Sequence, residues 1–124
     1  MVEDSEGFTA LVGAGTPTSS DGEARLEVEV GERHLNPAGT VHGGMLATLV
    51  DTTMGAAVRS AVDDEVPATS QLTVTYLRPG KPGLLVVTAR VHKRGENLTI
   101  CEAEVEQDGR SLVHALATFA LVEG

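Results

Sequence analysis

"NPAGTVHGGMLATLVDTTMGAAV", residues 36 to 58, decides how this chain folds. It opens as a loop through Asn36, Pro37 and Gly39, then from Gly43 turns small and apolar through Met45, Leu46, Leu49, Val50, Met54 and Val58. An apolar segment of that length, continuing to about Val62, predicts a helix rather than a strand. Gly55 weakens it only modestly. Lys and Arg are absent from Gly43 to Val58, so the one carboxylate in its midst, Asp51, has no cation within a helical turn. A lone buried carboxylate is costly unless it is paired, hydrogen-bonded or neutral. Asp51 is therefore either a structural residue on a partly exposed stripe, bonded to Thr48 or Thr52, or a base or nucleophile in a cleft.

On both sides of this helix the pattern changes to period two. Ala24, Leu26, Val28 and Val30 alternate with Arg25, Glu27 and Glu29, which predicts a half-buried strand. Further strands are predicted around Leu72, Val74 and Tyr76, around Leu85, Val87, Ala89 and Val91, around Cys101, Ala103 and Val105, and from Val113 to Leu121. Loops fall at "GERHLNPAGT", "DDEVP", "RPGKPG" and "RGEN", while Asp108-Gly109 is a strong hairpin signal. Short links favour antiparallel neighbours. "EGFTALVG" adds a short N-terminal helix before the loop "GAGTPTSSDG". The sum is an α+β fold in which the helix covers the concave face of an antiparallel sheet. Apolar nearly all round, that helix needs a second contact to bury it fully.

The 124 residues are enough for one hydrophobic core, so residues 1–124 are read as a single domain with one kind of site. With 41% apolar and 22% charged residues the composition is that of a soluble protein. No apolar run reaches the ~18 residues of a membrane span, and the acidic "MVEDSEGF" is unlike a signal peptide, so a cytoplasmic location is expected. A net charge of -9 argues against nucleic acid and anionic membranes as partners, and three aromatic residues, one Tyr and two Phe, make no base-stacking surface. A single cysteine, Cys101, excludes an internal disulfide and a cysteine-cluster metal site. His34, His42, His92 and His114 lack metal-ligand spacing, so no metal and no cofactor are expected, and His114 reads as a hydrogen-bonded core residue. There is no G-x-S-x-G elbow, and the Gly13/Gly15 stretch is too partial for a dinucleotide loop.

The start of the long helix supports the cleft reading of Asp51. "HGG" places Gly43 and Gly44 where backbone N–H groups lack intrahelical partners, the dipole is positive and no side chain blocks a ligand. Asp51 follows Gly43 by eight residues, roughly 12 Å along a helix. One carbonyl cannot touch both in one chain. If they act together, a second subunit must bring its Asp51 to the first subunit's Gly43, which implies a two-fold homodimer with two shared sites.

These residues also resemble a known family. "NPAGTVHGGMLATLVD", with Asn six residues before His and Asp nine after it, is similar to the motif of PaaI-type hotdog thioesterases within the 4-hydroxybenzoyl-CoA thioesterase superfamily. The likeness continues through "TVTYLRPG" and "VHKRGENLTICEAEV" and spans about Ala24 to Val122. The resemblance implies a hotdog fold, a sheet wrapped round a long central helix, with dimers pairing into homotetramers. It implies hydrolysis of an acyl-CoA to a carboxylic acid and free CoA, the CoA being part of the substrate. Asp51 would be nucleophile or general base, Gly43 N–H the thioester-carbonyl donor, and Asn36 and His42 would orient that region and the water or substrate. Thr69 would supply a hydroxyl that assists the water, and Thr52 fits the pattern beside Asp51, although a helix threonine also caps its own backbone. Relatives built on glutamate carry Ser or Thr one turn later, where this chain has Gly55, so it falls with the aspartate branch.

CoA phosphates need cations, and His92, Lys93 and Arg94 next to Gly95, with Arg78 and Lys81, are the densest positive charge available. The same residues also read as a solvated hairpin end. The rival from another class is a noncatalytic acyl-CoA-binding or sensing hotdog protein using the same cleft. A hydratase or dehydratase of this fold would need an acid and a base placed for proton transfer at carbon. The acyl group itself, aryl or short to medium aliphatic, is not encoded in any residue singled out above.

Overall fold

The computed structural model describes residues 7–123. In chain order these form helix α1 (Phe8–Leu11), strands β1 (Thr18–Ser20) and β2 (Glu23–Val30), a 3-10 turn (Glu32–His34), helix α2 (Gly43–Arg59), and strands β3 (Glu65–Tyr76), β4 (Gly83–Arg94), β5 (Leu98–Gln107) and β6 (Arg110–Glu123). Residues 1 to 6, whose acidity spoke against a signal peptide, lie outside the described residues. The strands form one sheet in the order β1-β2-β4-β5-β6-β3, every pairing antiparallel.

The period-two pattern does what it predicts. Ala24, Leu26, Val28 and Val30 are buried while Glu23, Arg25, Glu27 and Glu29 are exposed. Leu85, Val87, Cys101, Val105, Val113, Ala115 and Phe119 line the same inner face. Against it lies α2, which touches all six described strands. It buries Met45, Leu46, Leu49, Val50, Met54, Ala57 and Val58. Each of the larger side chains contributes roughly 1.5–3 kcal/mol by leaving water. Thr53, fully buried among them, satisfies its hydroxyl by donating to the Leu49 carbonyl at 2.8 Å. A stripe of α2 through Ala47, Thr48, Asp51, Thr52, Gly55 and Ala56 is only partly covered by the chain's own sheet.

Several boundaries differ from the expectation. α2 stops at Arg59 rather than near Val62, because Ser60 is tied to the β1–β2 turn: its Oγ accepts the Gly22 N–H and donates to the Ala57 carbonyl, both at 2.8 Å. The loop "GAGTPTSSDG" contains strand β1, closed onto β2 by Asp21-Gly22 with both residues at positive φ, as in the expected Asp108-Gly109 hairpin between β5 and β6. Of the expected loop "DDEVP", Asp63 and Asp64 remain outside the strands while Glu65, Val66 and Pro67 already belong to β3, which tolerates Pro67 because it is an edge strand. The "RPGKPG" loop does not join neighbours. It carries the chain from β3 at the edge to β4 beyond β6 and β5, and Gln107 pins it, accepting the Lys81 N–H at 2.9 Å and donating to the Lys81 carbonyl at 2.7 Å. Among the described residues no helix is long and apolar enough to cross a membrane.

Candidate active site

The site begins at the loop leading into α2. The Asn36 Oδ1 accepts the N–H groups of Ala38 (3.0 Å) and Thr40 (3.1 Å), and its Nδ2 donates to the Thr40 hydroxyl at 2.9 Å. Asn36 therefore acts on the loop itself. His42 is the N-cap of α2, its Nδ1 accepting the Gly44 N–H at 2.8 Å. Because Nδ1 accepts, the proton of a neutral His42 sits on Nε2, which faces outward as a donor. This corrects the expectation that both glycine amides are open: Gly44 N–H is taken. Gly43 N–H, the first amide of α2, has no acceptor within the helix and stands at its positive end.

Glycine at 43 relieves a tight contact with the Tyr76 ring. A Cβ there would stand 3.3 Å from the ring and hydroxyl of Tyr76, which packs over it and donates to the Gly43 carbonyl at 2.7 Å. Tyr76 was not among the expected site residues. The aromatic side chain in "TVTY" was visible as a strand residue, but its contact lies 33 positions away in sequence.

Asp51 is half-buried, and one of its oxygens accepts the Thr69 hydroxyl at 2.7 Å. Among the described residues its partner is thus Thr69 rather than Thr48, which donates back to Gly44, or Thr52, which lies beside it on the open stripe. A β-bulge aims Thr69. Leu72, Val74 and Tyr76 pair with Ala117, Ala115 and Val113 on the inner face, and strict alternation would put Ser70, not Thr69, on that face. The register shift between Thr69 and Gln71 inserts Ser70 as an extra residue, so Thr69 pairs with the buried Phe119 and points at α2. Ser70 instead donates to the Thr118 carbonyl at 3.0 Å. β3 thus grips α2 twice, through Thr69 on Asp51 and Tyr76 on Gly43.

Asp51 and Gly43 do not converge within one protomer. A cleft of about 290 Å³ lies at the helix start, lined by Asn36, Gly43, Leu46, Tyr76 and Arg78 among others, without Asp51. Arg78 also donates to the Ser111 carbonyl at 2.8 Å. Lys93, Arg94 and Gly95 sit at the β4–β5 hairpin instead. There Arg94 pairs across strands with Thr99, Thr99 with Phe119 and Phe119 with Thr69, which puts Arg94 three strands, or roughly 14 Å, from Thr69 in the same row. Arg94 faces Glu65 at 3.9 Å, while Lys93 is exposed. Gly95 is a packing requirement, since a Cβ there would meet the Leu98 carbonyl oxygen at 2.6 Å. A larger hollow of about 790 Å³ on the outer face, beside Arg25, Arg90, Glu102 and His114, is lined by none of these groups.

The remaining titratable residues divide cleanly. His34 is buried, its Nδ1 accepting the Gly31 N–H at 3.0 Å and its Nε2 meeting the Val12 carbonyl at 2.7 Å. It fastens the N-terminal segment. His114 is not a core residue: it is exposed on the outer face beside Glu104 and Thr75, because its neighbours Val113 and Ala115 point inward. Cys101 is fully buried, and loss of solvation pushes its thiol up to about 11. Among the described residues no three His, Cys, Asp or Glu side chains gather as a metal ligand set.

An antiparallel sheet curled round one long helix is the hotdog fold of the thioester hydrolases. The sequence pattern of the Thioesterase superfamily matches residues 38–114, more than half of the chain, and the chain belongs to that family. It is 31% identical to a conserved protein of Pseudomonas aeruginosa whose structure superposes with a TM-score of 0.90 over 94% of each chain. The PaaI protein of the E. coli phenylacetic acid degradation operon is 26% identical, with a TM-score of 0.85 over 94% of this chain and 84% of that one. Human acyl-coenzyme A thioesterase 13 is 33% identical over 71% of this chain and 64% of its own length.

Proposed function

We propose that this chain hydrolyses an acyl-CoA thioester, aryl or short to medium in acyl length, to the free acid and CoA at a site shared by two protomers. The observation that carries the reading is the pair of fixed groups on one face of α2: the Asp51 carboxylate held by Thr69 and the Gly43 amide left open by the His42 cap. Lying roughly 12 Å apart on one helix, they meet one carbonyl only across a two-fold axis. The free edge of β3 and the partly covered stripe of α2, both beside Asp51, offer the surface for that pairing. Such a dimer brings the Arg78 end of one chain toward the Lys93–Gly95 hairpin of the other, where both can meet the CoA phosphates. Lys81 adds charge near the first of these, and two dimers complete a tetramer.

In the reaction, Gly43 N–H and the positive end of α2 stabilise the charge that develops on the carbonyl oxygen. Asp51 either adds to the thioester carbon itself, or takes a proton from a water that adds there. The C–S bond then breaks, its electron pair leaving with the CoA sulfur, which takes up a proton; where Asp51 itself adds, water then hydrolyses the acyl–aspartyl anhydride, releasing the free acid and restoring the carboxylate. Thr69 holds the carboxylate in line, Thr52 lies next to it, Asn36 fixes the loop behind the carbonyl donor, and His42 presents Nε2–H to the substrate or water. The test is free-thiol release from a panel of aryl and aliphatic acyl-CoAs with the parent, Asp51→Ala and Asp51→Glu. Asp51→Ala should stay a folded oligomer and lose turnover by about 10²–10⁴-fold, with partial activity in Asp51→Glu. Parent-like hydrolysis by Asp51→Ala removes the assignment. Binding of every acyl-CoA without turnover by the parent makes the protein a binder rather than an enzyme.

A further inference from the structure

Two successive glycines are a poor foundation for a carbonyl donor. Glycine has the widest conformational choice of any residue, and a preorganised donor must keep one direction. In this chain the Gly43–Gly44 peptide is held at both of its polar ends: its carbonyl oxygen accepts from the Tyr76 hydroxyl at 2.7 Å, and its N–H donates to His42 Nδ1 at 2.8 Å. The two clamps come from different sources. His42 is local to the helix, whereas Tyr76 is the last residue of β3, set on the inner face by its pairing with the fully buried Val113. Tyr76 therefore references the helix start to the sheet. The His42 ring closes a loop over the His42–Gly43 peptide while Tyr76 ties the next peptide to the sheet, so the φ and ψ of Gly43 between them are restricted, and with them the direction of Gly43 N–H.

We propose that Tyr76 is a positioning residue, whose hydroxyl holds the Gly43–Gly44 peptide so that Gly43 N–H stays aimed at the thioester carbonyl. This rests on the role given to Gly43 above. A second acceptor bond on the first carbonyl of α2 also polarises that peptide in the direction of the helix dipole. The ring is half exposed to the cleft, so the rival role is direct contact with the substrate.

The two roles separate in Tyr76→Phe, which keeps the ring and deletes the hydroxyl. Steady-state thiol release should show kcat reduced by about three- to tenfold, the value of one ordinary hydrogen bond, with KM nearly unchanged and the thermal midpoint close to the parent's. The backbone amide NMR signals of Gly43 and Gly44 should shift or broaden in the variant, an effect that does not depend on turnover. Tyr76→Leu, lacking the ring, should match Tyr76→Phe in kcat. A raised KM at unchanged kcat makes Tyr76 a substrate contact and overturns the proposal, as does a Tyr76→Phe enzyme with parental kcat and parental glycine signals. If the parent itself turns over no thioester, the hydrolase reading falls first, and the NMR comparison alone still decides whether Tyr76 fixes the peptide.

Discussion

Thr69→Val probes the grip of β3 on the carboxylate. Valine keeps the β-branched shape that a strand accommodates and removes only the hydroxyl that reaches Asp51 at 2.7 Å. A hydrogen bond to a charged group contributes about 1.5–3 kcal/mol, and the exposure of Thr69 beside a half-buried Asp51 puts this one at the lower end, about 1.5 kcal/mol. If the bond aligns the carboxylate in the transition state, kcat should fall roughly tenfold, since about 1.4 kcal/mol corresponds to a factor of ten. The assay is thiol release by Thr69→Val, Asp51→Asn and the double variant. Groups that act as a unit are not additive, so the double variant should be no slower than Asp51→Asn alone. A Thr69→Val change that slows the Asp51→Asn enzyme as much as it slows the parent shows that the threonine works independently of the carboxylate, and the reasoning fails.

Asn36→Ala should free the Ala38 and Thr40 amides, seen as faster hydrogen exchange at those two positions, and lower stability by about 1–2 kcal/mol in urea titration. Gly95→Ala drives a methyl into the Leu98 carbonyl, so the β4–β5 hairpin must rebuild; a loss of roughly 1–3 kcal/mol should appear as a lowered thermal midpoint. Cys101 should resist thiol reagents in the native state near pH 8 and react once unfolded. Its raised native value also sets a sign: the unfolded thiol ionises first, so this contribution to stability is intact below about pH 9 and is lost as pH rises toward 11, which denaturant midpoints across that range should register.

What the sequence announces and what it conceals follow from the range of the interactions. Helix α2 and the inner faces of β2, β4, β5 and β6 are written as local periodicity and were legible at once. Asp108-Gly109 marks a hairpin between two alternating strands, whereas the same signal at Asp21-Gly22 is masked because the Ser and Thr residues before it carry no apolar alternation. The first half of β3 was hidden twice, by Pro67 and by the bulge at Ser70, which breaks the alternation that marks a strand. The expected core place of His114 conflicts with its own neighbours: Val113 and Ala115 point inward, so the residue between them must point out. The components of the site were recognisable as a motif, but their pairing was not. Thr69 on Asp51 and Tyr76 on Gly43 are separated by 18 and 33 positions, and no local pattern encodes either contact.

The extra residue in β3 makes that strand a ruler with two phases. Upstream of Ser70 the odd-numbered positions face the helix, and downstream the even-numbered ones do. A ruler of uniform phase could address the carboxylate or the helix start, but not both with the residues present. The match between β3 and these two points of α2 therefore depends on the residue count between Thr69 and Tyr76. Substitutions along β3 that spare the Thr69 and Tyr76 hydroxyls keep this match, whereas gain or loss of a single residue between Thr69 and Tyr76 puts one of the two contacts on the wrong side of the sheet.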